Sequence, residues 1–326
     1  MKERVKKLFI ICYLLLLSGF IYAQQLPLYS QYMMNGFLVN PAMAGSDGYT
    51  TASLTTRDHW LGFENSPKTY AISLQSRILW QKSRVTRKTP GYSGSLSKKS
   101  GRVGLGGYIF NDKNALVNRT GFQFSYAYHL FIRNTQLSFG LAASAFQFKI
   151  DESKLDPRDP EPLLAEGFDN LIYVPDFTFG VYLLNRRSFL GLSAAQLFQT
   201  RIRVGQENVD YRMKRHYYLM GGYRFDTGND TELEPSFLLK GTELGFIQTD
   251  VNLKLIYKEF YWAGISYRTQ TSVGLLLGGK AGKFYFGYAF DYNLSNIRKY
   301  TFGSHEINLA VKFGDNSRRY RWLIRY

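Results

Sequence analysis

The sequence predicts an all-β protein, a transmembrane antiparallel β-barrel of the outer-membrane kind with about 14 strands, following a cleaved signal peptide. Three observations predict it. The amino terminus is built as an export signal, the composition is aromatic and glycine-rich without a long apolar run, and hydrophobicity alternates with period 2 from about residue 49 to residue 313.

The export signal comes first. Lys2, Arg4, Lys6 and Lys7 form a positive region ahead of the apolar stretch Leu8 to Leu17, and Ala23 supplies a small residue for cleavage before Gln24. A core of about ten residues is too short to cross roughly 30 Å of hydrocarbon, so residues 1–23 read as a signal peptide. Cys12, the sole cysteine, lies inside that stretch. The mature chain then has no disulfide framework and no thiolate metal site. Residues 1–23 carry four basic residues and one acidic residue, so their removal lowers the formal charge from +16 to +13. That balance favours polyanions such as outer-membrane lipid and lipopolysaccharide headgroups, and export excludes nucleic acid as the partner.

Tyr and Phe contribute 25 residues each and Gly 30, yet the mean hydropathy is slightly polar at −0.25. No stretch after the signal peptide approaches the roughly 18 apolar residues of a membrane helix. A barrel strand shows lipid only every second side chain, which reconciles the two facts. At 284–292, Phe284, Phe286, Tyr288, Phe290 and Tyr292 share one face, opposite Tyr285, Gly287, Ala289 and Asp291. At 122–132, Phe122, Phe124, Tyr126, Tyr128, Leu130 and Ile132 oppose Gln123, Ser125, Ala127 and His129. A soluble sandwich would also alternate, but its strands average five or six residues and lack such aromatic ends.

The pattern places strands at 49–57, 68–79, 103–111, 119–132, 135–149, 173–184, 188–197, 216–225, 231–240, 248–257, 260–267, 271–280, 283–291 and 305–313. Their connections alternate in length. Turns at 133–134, 185–187, 226–230, 258–259 and 281–282 are short, whereas 150–172, 198–215 and 292–304 are long. Short turns belong to the periplasmic end, so the expected localisation is the outer membrane with both termini periplasmic. The domain plan is therefore signal peptide 1–23, a turn-rich periplasmic or plug-like segment 24–48, a barrel 49–313, and a basic periplasmic tail 314–326.

Catalytic motifs are poorly supported. Gly274 to Lys280 matches phosphate-loop spacing, but Ala281 replaces the required hydroxyl and the context is a hairpin. Gly191-Leu192-Ser193-Ala194-Ala195 lacks the second glycine of a nucleophile elbow. His59, His129, His216 and His305 are dispersed without metal spacing. No catalytic, cofactor or metal site is expected, and the inward charges Arg77, Arg224, Lys254, Arg268 and Asp291 read as a polar lumen. Two charged loops are candidate partner sites. The long loop 150–172 holds Asp151, Glu152, Asp156, Asp159, Glu161 and Glu166. The loop 80–102, the one exception to the alternation as a long connection on the predicted periplasmic side, holds Lys82, Arg84, Arg87, Lys88, Lys98 and Lys99.

An ordered set of short motifs is more specific than any of these. Gln31-Tyr32 with Asn35, Asn40-Pro41-Ala42-Met43-Ala44-Gly45 and Trp60-Leu61-Gly62-Phe63 open it. Gly106-Gly107-Tyr108, Arg215-His216-Tyr217, Gly222-Tyr223-Arg224-Phe225, Glu234-Pro235-Ser236 and Gly303-Ser304-His305-Glu306-Ile307 follow. Together they resemble the PorP/SprF family of outer-membrane proteins of the type IX secretion system of Bacteroidetes. The resemblance implies a non-enzymatic role in secreting or anchoring a surface protein, such as an adhesin, that bears a type IX C-terminal sorting domain. It also implies translocon or periplasmic envelope-associated proteins as partners. A passive porin for small solutes, anions included, is the alternative that the residues alone leave open.

Overall fold

The structure is a computed structural model that describes residues 29–80, 100–115, 117–150, 172–204, 209–243, 245 and 247–314. The signal peptide, residues 24–28 of the plug-like segment, the basic tail beyond Gly314 and all twelve candidate residues of the two charged loops lie outside the described residues.

The strands are β1 (Thr50–Asp58), β2 (Lys68–Trp80), β3 (Ser100–Asn114), β4 (Val117–Ile132), β5 (Thr135–Ile150), β6 (Ile172–Asn185) and β7 (Ser188–Ala195). A small hairpin, β8 (Arg201–Val204) with β9 (Val209–Arg212), follows. Then come β10 (His216–Tyr223), the short β11 (Phe225–Gly228), β12 (Thr231–Thr242), β13 (Ile247–Tyr257) and β14 (Tyr261–Arg268). β15 (Ser272–Ala281), β16 (Phe284–Asn293) and β17 (Ser304–Phe313) complete the chain. Consecutive strands pair antiparallel, β10 pairs both β7 and β12, and β17 returns to pair with β1. Fourteen strands thus close into a barrel: all except β8, β9 and β11. Among the described residues no helix is long and apolar enough to cross a membrane.

All fourteen expected strands are present, with ends displaced by a few residues. The hairpin of β8 and β9 adds to the expected strands and lies in the region 198–215 that reads as loop. Its four-residue strands are too short for alternation to stand out. The expected turn 226–230 is tighter than the sequence suggests, because β11 folds back on β12 and leaves Asn229 and Asp230 with left-handed φ of 51° and 59°. Pro235 falls where β12 passes from its β11 neighbours to its β10 neighbours, a position at which the missing N–H costs no ladder bond.

The alternation is realised as two chemically opposite surfaces. Along β13, Val251, Leu253, Leu255 and Tyr257 are exposed on the outer wall, while Asn252, Lys254 and Ile256 are buried. Along β4, Phe122, Phe124, Tyr126 and Tyr128 face out, and Gln123, Ser125, Ala127 and His129 are buried. An outer face of Ile, Leu, Phe and Tyr matches hydrocarbon. The inner face is polar and nevertheless inaccessible, because residues 29–48 lie inside the ring.

Candidate functional site in the lumen

Residues 29–48 contain two single-turn 3-10 helices, Gly36–Leu38 and Pro41–Met43. The second starts as turn chemistry requires. The Asn40 side chain accepts from the Ala42 N–H at 3.0 Å, and Pro41 occupies the first helical position, where its missing N–H costs nothing. Such a segment buries too little of its own surface to hold a shape alone, so its conformation depends on the wall around it.

The wall grips it differently at its two ends. Near the end with the long connections, Ser30 and Gln31 meet charged side chains from β1, β14, β16 and β17. Glu306 accepts from the Ser30 N–H at 2.6 Å through one oxygen and from the Gln31 N–H at 2.9 Å through the other. Ser30 Oγ donates to Asp291 at 2.5 Å and accepts from Arg57 Nη1 at 2.6 Å. Arg57 is only 1% exposed and also pairs with Asp291 at 2.6 Å and Glu306 at 3.0 Å. Arg268 joins through Asp250 at 3.0 Å and Asp291 at 3.5 Å. Each carboxylate therefore has a guanidinium partner, the condition under which such burial is tolerated.

His59, just beyond β1, accepts from Arg57 Nε at 2.8 Å. Burial holds its pKa well below the usual imidazole value, and the nearby Arg57, Arg268 and Lys240 add to the depression. The ring is neutral at physiological pH, as its acceptor role requires. Burial also pushes the Tyr29 and Tyr32 phenols above their usual value, and Tyr32 keeps its proton while accepting from Asn252 at 3.0 Å.

At the other end the contacts are with backbone. Asn40 Nδ2 donates to the carbonyls of Val181 (3.0 Å) and Leu192 (3.1 Å), which face each other on β6 and β7. His129 Nε2 lies 3.0 Å from the Ala44 carbonyl. Arg77 donates to the carbonyls of Gly45 (2.9 Å) and Ser46 (2.7 Å) and to Gln136 at 2.8 Å. These approaches need wall positions without side chains. A Cβ at Gly104 would sit 1.9 Å from the Ala44 carbonyl oxygen, and one at Gly140 2.2 Å from the Ala42 nitrogen. Gly45 has φ +63° and sits against the Ser76–Arg77 backbone, so it too has no allowed replacement.

The inward charges that the sequence marks as a polar lumen are thus specific partners. Arg77, Arg268 and Asp291 take part in seating the segment. Arg224 and Lys254 instead meet at Glu234, at 3.0 and 3.1 Å, in a separate buried cluster. Glu306 makes two hydrogen bonds to Ser30 and Gln31 and Arg57 one to Ser30, and neither is among the inward charges named from the sequence. Their signal was available, since each stands at an inward position of an alternating strand. Among the described residues no cluster of three or more His, Cys, Asp or Glu side chains is arranged to hold a metal.

A luminal cavity of about 110 Å³ lies above the segment at the long-connection end. Tyr29, Leu38 and Val39 of the segment contribute its floor, and Tyr108, Phe110, Phe146, Tyr218 and Leu238 extend that apolar surface onto the wall.

Several solved barrels share the architecture. The Ralstonia pickettii toluene transporter TbuX is 9% identical, with 86% of this chain and 93% of that chain covered at a TM-score of 0.47. A deletion mutant of the monoaromatic hydrocarbon channel TodX is 11% identical, covering 85% and 93% at 0.44. The Acinetobacter baumannii outer membrane protein Omp33 is 7% identical, covering 82% and 99% at 0.42. Likeness this distant carries no argument about what passes through or binds. A search of curated proteins returned no match. The family comparison is decisive, because the model of the type IX secretion system membrane protein PorP/SprF matches residues 21–311. That match spans the luminal segment and all but the last residues of the barrel, and the chain belongs to the PorP/SprF family of type IX secretion system membrane proteins.

Proposed function

We propose that this chain is a non-enzymatic, non-conducting outer-membrane scaffold of type IX secretion. In this role it supports secretion or cell-surface anchoring of a partner protein with a type IX C-terminal sorting domain. Family membership supplies the secretion context. The observation that carries the rest is the filled lumen, in which residues 29–48 hydrogen-bond to wall strands from β1 round to β17. A passive porin needs a continuous water path, and this segment stands across it.

In this reading the short-turn end, where β17 finishes, faces the periplasm and the long connections face outward. The acidic residues of 150–172 are then proposed contacts for the exported partner, and the basic residues of 80–102 for periplasmic proteins or anionic headgroups. Affinity purification of the tagged protein from gently solubilised outer membranes, with single-channel recording on the same preparation, tests the proposal. Recovery of translocon subunits or of a large secreted protein with the sorting domain, with negligible conductance, is expected. Recovery of the barrel alone with steady conductance would reinstate the porin.

A further inference from the structure

The cavity above the luminal segment has a composition that the closed lumen does not require. Its lining includes two cations, Arg119 and Lys240, and two carboxylates, Asp176 and Asp250. Several of these are engaged within the wall. Arg119 bonds Asp112, Asp250 bonds Arg268, and Asp176 accepts from the Phe177 N–H at 2.7 Å and the Phe198 N–H at 3.2 Å. A site balanced in this way does not select an anion or a cation. What it does offer is an aromatic floor with three phenol groups, Tyr29, Tyr108 and Tyr218, and a rim that includes the amides of Gln123, Gln196 and Gln248. Apolar depth ringed by groups that both donate and accept matches a polypeptide segment, whose amides do the same between apolar side chains.

The position of the lining residues narrows the occupant. Phe110 and Phe146 lie near the ends of β3 and β5, and Asp176 and Gln248 near the starts of β6 and β13. All four are at the long-connection end, and Leu38 and Val39 of the luminal segment line the cavity as well. We infer that this cavity is a receptor for an extended segment of the exported partner, a loop or a terminus, which enters from the long-connection end with a bulky apolar side chain leading. The inference rests on the proposed anchoring role and adds to it a place where the partner is held.

Thr178→Trp and Gln248→Trp fill the cavity from β6 and β13, four strands apart in the ring, and leave Glu306, Arg57 and Asn40 unaltered. Each variant is purified by the same tag as the wild type. Retained heat-modifiable mobility and negligible conductance show that the barrel and its luminal segment are intact. Filling the cavity is expected to lower co-purified sorting-domain protein by about tenfold or more, the usual effect of losing a buried apolar anchor. A photoreactive phenylalanine at Gln248 in the wild-type background should cross-link to one peptide of that protein. Undiminished recovery with both variants would overturn the cavity while leaving the anchoring role standing. So would cross-links that run only to residues 24–28 of the same chain or to lipid. Absence of any such protein from the wild-type preparation would overturn both.

Discussion

The two ends of the luminal segment are held by opposite chemistry. At Ser30 and Gln31 the wall supplies ionised groups, with two carboxylates and two guanidiniums converging on one hydroxyl and two amides. Between Asn40 and Ser46 the contacts are with backbone: Gly104 and Gly140 let the segment backbone approach the wall, Arg77 donates to segment carbonyls, and Asn40 donates to wall carbonyls. The charged end is strong in energy but tolerant in shape, because flexible arginines can follow a displaced partner. The glycine end is weaker per contact but intolerant, because backbone cannot move aside within a closed ladder. Together they make a seat that is both tightly bound and placed in register.

Glu306→Ala breaks the charged end and should have the largest effect. It leaves Arg57 facing Asp291 alone and frees two amides, a loss of about 3–5 kcal/mol for a broken buried pair. The expected readout is protease access to the segment together with new channel conductance. If the segment stays protected, the charged end does not hold it. Gly140→Val breaks the other end by steric means, at about 1–3 kcal/mol for overpacking. Here the heat-modifiable barrel should survive while the segment is expelled, again visible as conductance. A closed channel would mean that the Pro41–Ala42 backbone can give way.

Asn40→Ala is the milder test of the same end. It removes the cap and the two donations to Val181 and Leu192, worth about 1–2 kcal/mol together with partial compensation by water. Intermittent opening rather than a steady current is expected. The smallest effect concerns His59. Its folded pKa is depressed, so the unfolded chain binds a proton more readily as pH falls below about 6.5. Stability should therefore decline with acidification through that range by at most about 1.4 kcal/mol per pH unit, and be flat for this group above it. His59→Gln should remove that slope from the melting profile of the mobility shift; an unchanged slope would assign it to other groups.

Much of this architecture was legible because its signals are local. Alternation places Val251 and Asn252 on opposite faces whatever surrounds them, and short turns such as Arg133-Asn134 mark hairpins within a few residues. The motif Asn40-Pro41-Ala42 announces a turn by the same local rules. The hairpin of β8 and β9 escaped because four-residue strands carry too little pattern. The seat escaped for a different reason. Arg57 and Glu306 are 249 residues apart and meet only because β17 closes onto β1, with Arg57 opposite Glu306 in that register.

By itself, then, the sequence determined the class of protein, the number of barrel strands, the lipid-facing side of each and the family. All four follow from backbone periodicity, turn chemistry and short ordered motifs. Tertiary structure alone decided which inward groups become partners and that they converge on Ser30, Gln31 and the backbone of residues 40–46. Closing the ring brings strands from opposite ends of the chain to one axis. In that narrow lumen, desolvation makes pairing obligatory for each charge and leaves side-chain-free positions as the only room for a second backbone.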